Sequence, residues 1–226
     1  MKELEIRSKN INGVDYKYSI YPLVSKDNEV LTTPTPKFDF VNPPADPTFL
    51  AISLLETMAS NWGVGLAAPQ VGLPYRVFTM GSGNNGYVCF NPEIISTEGM
   101  TGFDEGCLTF KGLFLNIKRP LKIKTRYQDM TGKHHEIEFD GLTARTYQHE
   151  LDHLNGVLYT KLVNPYFLDK AKKKVPSNIK KLDAQRNHQI KQIAIQQAIQ
   201  RIADQKKAEE LSKAISISIP DVTIST

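Results

Sequence analysis

Residues 148 to 156 read QHELDHLNG, and the H-E-x-x-H pattern inside them constrains the fold more than any other stretch. Histidines four apart, His149 and His153, share one face of a helix about one turn apart, so both imidazoles can reach a single ion. Glu150, between them, is left free to act as a base. The alternative is a surface helix with incidental histidines. Against it, Leu151 and Leu154 lie beside the pair on a stripe that should face a core. Asp140-Gly141 should open this helix, and Gly156 supplies the usual glycine just past its end.

The preceding chain is mostly strand-like. Asp46-Pro47 begins a helix with an N-cap residue and proline at the first position; Phe49, Ile52, Leu55 and Met58 recur at helical spacing, and the helix should end near Asn61. YRVFTM and YVCF then flank the turn GSGNNG, with Asn85-Gly86 as the strongest turn signal. Leu121, Ile123, Thr125 and Tyr127 alternate with mostly charged residues, MTGK turns, and HHEIEF returns. Strands followed by one helix argue for α+β rather than a doubly wound sheet. Gly63 to Ala68, GVGLAA, fits the phosphate loop G-x-G-x-x-A, but that loop needs a strand before it and a helix after it. Here a helix precedes and Pro69 follows, so a glycine turn between helix and strand is the better reading.

At 226 residues and 40% hydrophobic content the chain can bury a sizeable core. One catalytic domain, 1–164, and an appendage, 165–226, are expected. No run approaches a membrane span, and MKELEIRSKN lacks an apolar signal segment, so a cytoplasmic location with no membrane partner is expected. Cys89 and Cys107 are too few for a disulfide framework and suit a reducing compartment. Residues 165–226 carry 12 Lys and Arg against 6 Asp and Glu, while the remainder carries 16 against 18. The basic excess thus belongs to the tail, which suggests that the tail meets an anionic surface such as RNA. KAKKKV precedes Pro176, which interrupts, and Ile179 to Ile215 has helix-forming composition. Ile190, Ile193, Ala194 and Ala198 form one stripe and Ile195, Ile199 and Ile202 another. A solvated, a self-associating and an RNA-contacting helix are all open. The end, ISISIPDVTIST, reads as strand or disorder.

What completes the ion site is less direct. Extended metalloprotease patterns place a third histidine six residues after the second, where this chain has Tyr159. His₂Glu sites take a glutamate from a later helix, yet no Glu occurs from Leu151 to Ala208. Cysteine is the remaining strong ligand. Cys107 lies in Glu105-Gly106-Cys107-Leu108, where the glycine would let the backbone approach an ion; Cys89, in YVCF, reads as a buried thiol. His134, His135 and His188 are assigned solvated or structural roles. No G-x-S-x-G elbow occurs for serine chemistry.

GVGLAAPQ (63–70), EGCL (105–108) and QHELDHLNG (148–156), together with NPEII (91–95), resemble the motifs of peptide deformylases in the same order, and the resemblance runs from about residue 18 to 163. It implies antiparallel β-sheets packed around a central helix carrying H-E-x-x-H, with the tail as a C-terminal helical extension. It further implies one divalent ion, Fe(II) or in its place Zn, Ni or Co, held by Cys107, His149 and His153 with water in a fourth position. Glu150 would take the water's proton as the formyl carbon of a nascent chain's formyl-methionine is attacked, releasing formate. The Leu108 N–H and the Gln70 amide would stabilise the developing charge. Gly65 would pair with the substrate main chain, Val64, Phe103, Leu142 and Thr146 would line a methionine-sized pocket unless they are plain core, and Arg119 would pair with Glu105. Thr109 stands where the family commonly has serine, and Phe110 to Phe114 lacks its Ile-Pro step and arginine. In bacterial relatives a C-terminal helix docks on the ribosome, so the ribosome is a candidate partner for the extension; no DNA contact is implied. A second reading is a family member that has lost catalysis and serves as a binding module.

Overall fold

The computed structural model describes residues 5–82 and 85–217, with no side-chain detail at 82, 85 and 210–217. β1 (Arg7–Ile11) and β2 (Val14–Tyr18) form a separate antiparallel hairpin. Its turn, Asn12-Gly13, has positive φ at both residues (52° and 86°), the conformation for which Asn-Gly is favoured. α1 (Pro47–Ser60) starts as the sequence predicts: an Asp46 carboxylate oxygen accepts from the Thr48 and Phe49 N–H groups at 2.8 and 3.1 Å, and Asn61 closes the helix.

The strands β3 (Gly65–Ala67), β4 (Val77–Ser82), β5 (Asn85–Glu98), β6 (Thr101–Glu105), β7 (Leu115–Arg119), β8 (Lys122–Gln128) and β9 (His134–Asp140) follow. Five of them make an antiparallel sheet in the order β3-β4-β5-β8-β9, leaving β3 at an edge; β6 and β7 pair apart from it. GVGLAA therefore leads into an edge strand and a short 3-10 helix, Ala68–Val71. Two local readings need correction. Asn85 and Gly86 are already paired, opposite Ser82 and Gly81, so they are strand rather than turn. The residues between Ser82 and Asn85 lie outside the described ones. Register wins over turn propensity because Phe78 and Val77 must meet Cys89 and Phe90 across the pair, and a slip by one would turn every buried side chain outward. The strand carrying YVCF also continues through NPEII to Glu98. Its pairing with β8 shifts register between Phe90 and Glu93, which is where Pro92 can be tolerated.

Alternate residues of the central strands face opposite ways. Leu66 and Val77 pack with Leu50, Leu54 and Met58 of α1, whereas Ala67, Phe78 and Met80 pack with α2 (Gly141–Leu154). From α2 come Ala144, Tyr147, Leu151 and Leu154, a 3-4-3 spacing that turns one whole face into core. The fold is thus α+β, antiparallel sheets around the helix bearing H-E-x-x-H, as expected.

α3 (Pro165–Lys172) belongs with this body: Leu168, Ala171 and then Val175 pack against Leu115, Ile117 and Tyr159. The compact unit accordingly runs to Val175, past the boundary drawn at 164, and a second unit begins at Pro176. That unit consists of α4 (Val175–Ile217) beyond its first residue. Pro176 does not interrupt a helix; it sits in the first turn of α4, where its missing N–H has no partner to lose. Ile215 to Ile217 are helical rather than strand-like, and the tail from 218 lies outside the described residues. Ile190, Ile193, Ile195, Ile199 and Ile202 are about half exposed along α4. No helix among the described residues is long and apolar enough to cross a membrane.

Candidate metal centre and substrate cavity

α2 has a second buried face. One turn apart, His149 and His153 project from it, with ring centroids 5.1 Å apart. Cys107, extended at the end of the β6 segment, reaches the same point: its Sγ lies 3.3 Å from His153 Nε2. One donor atom from each of the three residues lies within 4.8 Å of the others. A Cβ at Gly106, the residue before Cys107, would stand 2.9 Å from the Phe114 ring. The glycine thus admits an aromatic ring against the loop.

Among the described residues, three buried side-chain atoms lack any hydrogen-bond partner: His149 Nε2, His153 Nδ1 and Glu150 Oε2. Buried polar atoms are nearly always satisfied, so the orphaned His149 Nε2 on the cluster with Cys107 and His153 points to a missing ligand; His153 turns its Nε2, not the orphaned Nδ1, toward Cys107. His149 Nδ1 lies 3.0 Å from Glu105 Oε2, an arrangement that fixes the ring and leaves Nε2 for an ion. A thiolate and two imidazoles suit zinc- or iron-type ions rather than magnesium or calcium. The residues present therefore fit such an ion.

Glu105 organises the surroundings. Arg119 donates to both its oxygens, Nε to Oε1 at 2.6 Å and Nη2 to Oε2 at 3.0 Å, which is the expected pair. Two partners went unseen in the sequence. Arg145 Nη1 donates to Glu105 Oε1 at 2.6 Å, and Arg119 Nη1 donates to Asp152 Oδ2 at 2.8 Å. A signal existed for both: Arg145 and Asp152 lie four before and three after His149, on its helix face. Burial alone would raise the Glu105 carboxyl, but the hydrogen bonds from His149 and Arg119 outweigh it and bring it down to about 2. Burial likewise opposes ionisation of Cys107, yet the charge of His153 and hydrogen bonds with both histidines hold the thiol well below its ordinary value. For His149, burial is overcome by hydrogen bonding to Cys107 and Glu105, which raises the imidazole to about 10. Burial pushes Glu150 up to about 7 against the pull of the two histidines. The centre thus gathers negative groups that draw a positive charge to the His149 imidazole.

Gln70, in the short helix after β3, is held by its own Oε1, which accepts from the Ala67 N–H at 2.8 Å. Its Nε2 then points at the centre, 3.4 Å from Cys107 Sγ and 3.2 Å from Thr109 Oγ1. Leu108 follows Cys107 directly and begins another short 3-10 helix. Gly65 abuts Glu150: a Cβ there would lie 2.8 Å from the carboxyl carbon and 2.9 Å from Thr146 Cγ2. Val64, Phe103, Leu142 and Thr146 line one cavity of about 910 Å³, with His149 and Glu150 on its wall. They are not core, for Val64 and Leu142 are 62% exposed and Phe103 48%. The remaining histidines stand apart: His135 Nε2 contacts Asp129 Oδ2 at 2.7 Å and stacks on Tyr127, while His134 and His188 are exposed.

A thiolate and two imidazoles beside an unpaired carboxylate, opening on a cavity of mixed apolar and charged lining in an α+β body, define a metal-dependent hydrolase of the H-E-x-x-H kind. Comparison with known proteins narrows this. The polypeptide deformylase family model matches residues 20–167. A peptide deformylase of Thermotoga maritima is 46% identical over 113 residues, which cover 50% of this chain and 69% of that protein. One of Lachnoclostridium phytofermentans is 40% identical over 145 residues, or 63% and 83% of the two chains. The crystal structure of a peptide deformylase from Legionella pneumophila superposes with a TM-score of 0.65 at 32% identity, covering 73% of this chain and 98% of that one. The chain belongs to the peptide deformylase family, metalloenzymes that hydrolyse the formyl group from nascent peptides. Nothing in these comparisons supports a non-catalytic binding module.

Proposed function

We propose that this chain removes the formyl group from formyl-methionyl peptides with the residue roles that follow. The observation that carries the assignment is the convergence of Cys107, His149 and His153 within 4.8 Å, next to the unpaired Glu150 Oε2 on the cavity wall. An ion held there would supply Lewis-acid activation of water and of the formyl oxygen at neutral pH. Fe(II) is the proposed native ion, with zinc, nickel or cobalt able to replace it, because all accept this donor set. Glu150 takes the proton of the water that adds to the formyl carbon and passes it to the departing amine. Gln70 Nε2 and the Leu108 N–H stabilise the charge that develops on the formyl oxygen. Gly65 lies on β3, an edge strand of the sheet among the described residues, where an extended peptide can add as a further strand. The methionine side chain enters the cavity between Val64, Phe103, Leu142 and Thr146.

The direct test is Glu150→Gln. It should retain metal while turnover in formate release falls at least about a hundredfold, the low end of general acid–base catalysis. Near-normal turnover would remove Glu150 from its role. The reading also places the enzyme in a reducing, bacterial-type translation compartment such as the cytoplasm, since its ligand thiol must stay unoxidised. The ribosome is proposed as a partner of the extension, supported by its basic excess.

A further inference from the structure

Arg145 is absent from the roles just assigned, yet it makes three hydrogen bonds and a cation–π contact beside the centre. It is 5% exposed and lies one turn before His149 on α2. Its Nη1 donates to Glu105 Oε1 at 2.6 Å and to the Ile117 carbonyl at 2.9 Å, and its Nη2 donates to the Thr101 carbonyl at 2.8 Å. Its guanidinium carbon stands 5.6 Å from the centroid of the Phe103 ring, within cation–π range. All four partners belong to the β6–β7 hairpin. Two of them touch function: Glu105 holds His149 Nδ1, and Phe103 is a wall of the substrate cavity.

We propose that Arg145 is a positioning residue that makes one rigid unit of the ion-binding histidine and the cavity wall. Glu105 holds His149 and lines the cavity as well, but no contact described joins it to the Phe103 ring. Arg119 ties it to Asp152, also on α2, but no contact described joins the Arg119 side chain to the Phe103 ring. Arg145 closes that gap because its planar fork addresses a carboxylate and two carbonyls at fixed angles while its face covers an aromatic ring. A lysine could replace the charge but not the fork. The consequence is that ion affinity and binding of the first side chain are coupled through one residue, which supports both the partner of His149 and the Phe103 ring. Such supporting partners typically contribute about 10- to 100-fold to metal affinity.

The proposal rests on the deformylase reading for its substrate arm, whereas its metal arm is independent of catalysis. Arg145→Met, Arg145→Lys, Phe103→Leu and the Arg145→Lys/Phe103→Leu double variant should be compared for fold by near-UV circular dichroism. Zinc affinity is then measured by chelator competition without substrate, and KM and kcat on a formyl-methionyl peptide. Arg145→Met should weaken zinc binding about tenfold or more and raise KM several-fold. Arg145→Lys should recover part of the zinc affinity and little of the KM. Phe103→Leu should raise KM less in the lysine background than alone. Folded variants with wild-type zinc affinity, or KM effects that simply multiply, would overturn the proposal. If Arg145→Met does not fold, Arg145→Lys decides both arms. Absence of formate release by the unmutated protein would sink the deformylase reading and leave the zinc titration to judge Arg145.

Discussion

Replacing Gly65 by alanine separates stability from activity at a single atom. The added methyl would stand 2.8 Å from the Glu150 carboxyl carbon, against 3.4 Å or more in ordinary contact, so the carboxyl must withdraw by about 0.6 Å and its nearer oxygen further. Thr146 Cγ2, at 2.9 Å, blocks the other side. What yields is the end of one side chain rather than backbone, so the stability loss should sit near the low end for overpacking, about 1 kcal/mol. The catalytic loss should be larger. Glu150 is 4% exposed, so the displaced carboxylate cannot simply swing into solvent. Displacing a reacting group by about 1 Å can cost about a hundredfold in rate, equivalent to about 2.7 kcal/mol on the barrier. The assay pairs formate release from a formyl-methionyl peptide with metal content and thermal melting on the same preparation. Gly65→Ala should melt within a few degrees of the parent, keep its metal and lose most of its turnover. A metal-loaded, folded Gly65→Ala protein with parental turnover would refute the idea that Glu150 must occupy its observed position.

Cys107→Ala should abolish retention of the ion through purification, since the two imidazoles alone lack the thiolate anchor; metal analysis showing parental occupancy would contradict the ligand set. Deleting residues 176–226 should leave turnover on short formyl peptides near parental, because the centre and cavity lie wholly before Val175, while ribosome binding by the full-length chain should weaken steeply with added salt. Salt-insensitive sedimentation with ribosomes would refute the RNA contact, and conversion of a dimer to a monomer on truncation would favour self-association instead. Asp129 is held down to about 2: burial would raise it, but Thr131, His135 and the backbone N–H groups of Thr131 and Lys133 prevail. A depressed carboxylate stabilises the fold above its unfolded value, about 4, and loses that contribution as pH falls through 2. Asp129→Ala should therefore cost about 1 kcal/mol in denaturant unfolding at pH 6, discounted for its partial exposure, and the difference should shrink between pH 4 and 2. A gap that stays constant over that range would exclude the carboxylate as its source.

What the chain determines by itself is local. Asp46 and Pro47 start α1 because the cap bonds reach only two or three residues, and Gly156 follows α2 at positive φ (70°) because a left-handed residue ends a helix from within its own last turn. The pairing of His149 with His153 on one face needs only the helical period. Motif order carried the rest of the reading, including a cysteine ligand, since nothing local ties Cys107 to a histidine 46 residues away. Tertiary structure alone decided the contacts across such distances. The register of β4 against β5 moved Asn85-Gly86 out of its expected turn, because burying Phe78 and Phe90 outweighs the preference of a dipeptide. Packing of Leu168 and Ala171 brought α3 into the body and left Pro176 to start the extension. Nothing local singles out Arg145; the β6–β7 hairpin supplies its carboxylate, two carbonyls and ring only in the completed fold. Gly65 looked like part of a turn until Glu150 was laid against it. Secondary structure obeys interactions a few residues long, whereas burial and close approach depend on partners that only the completed fold brings together.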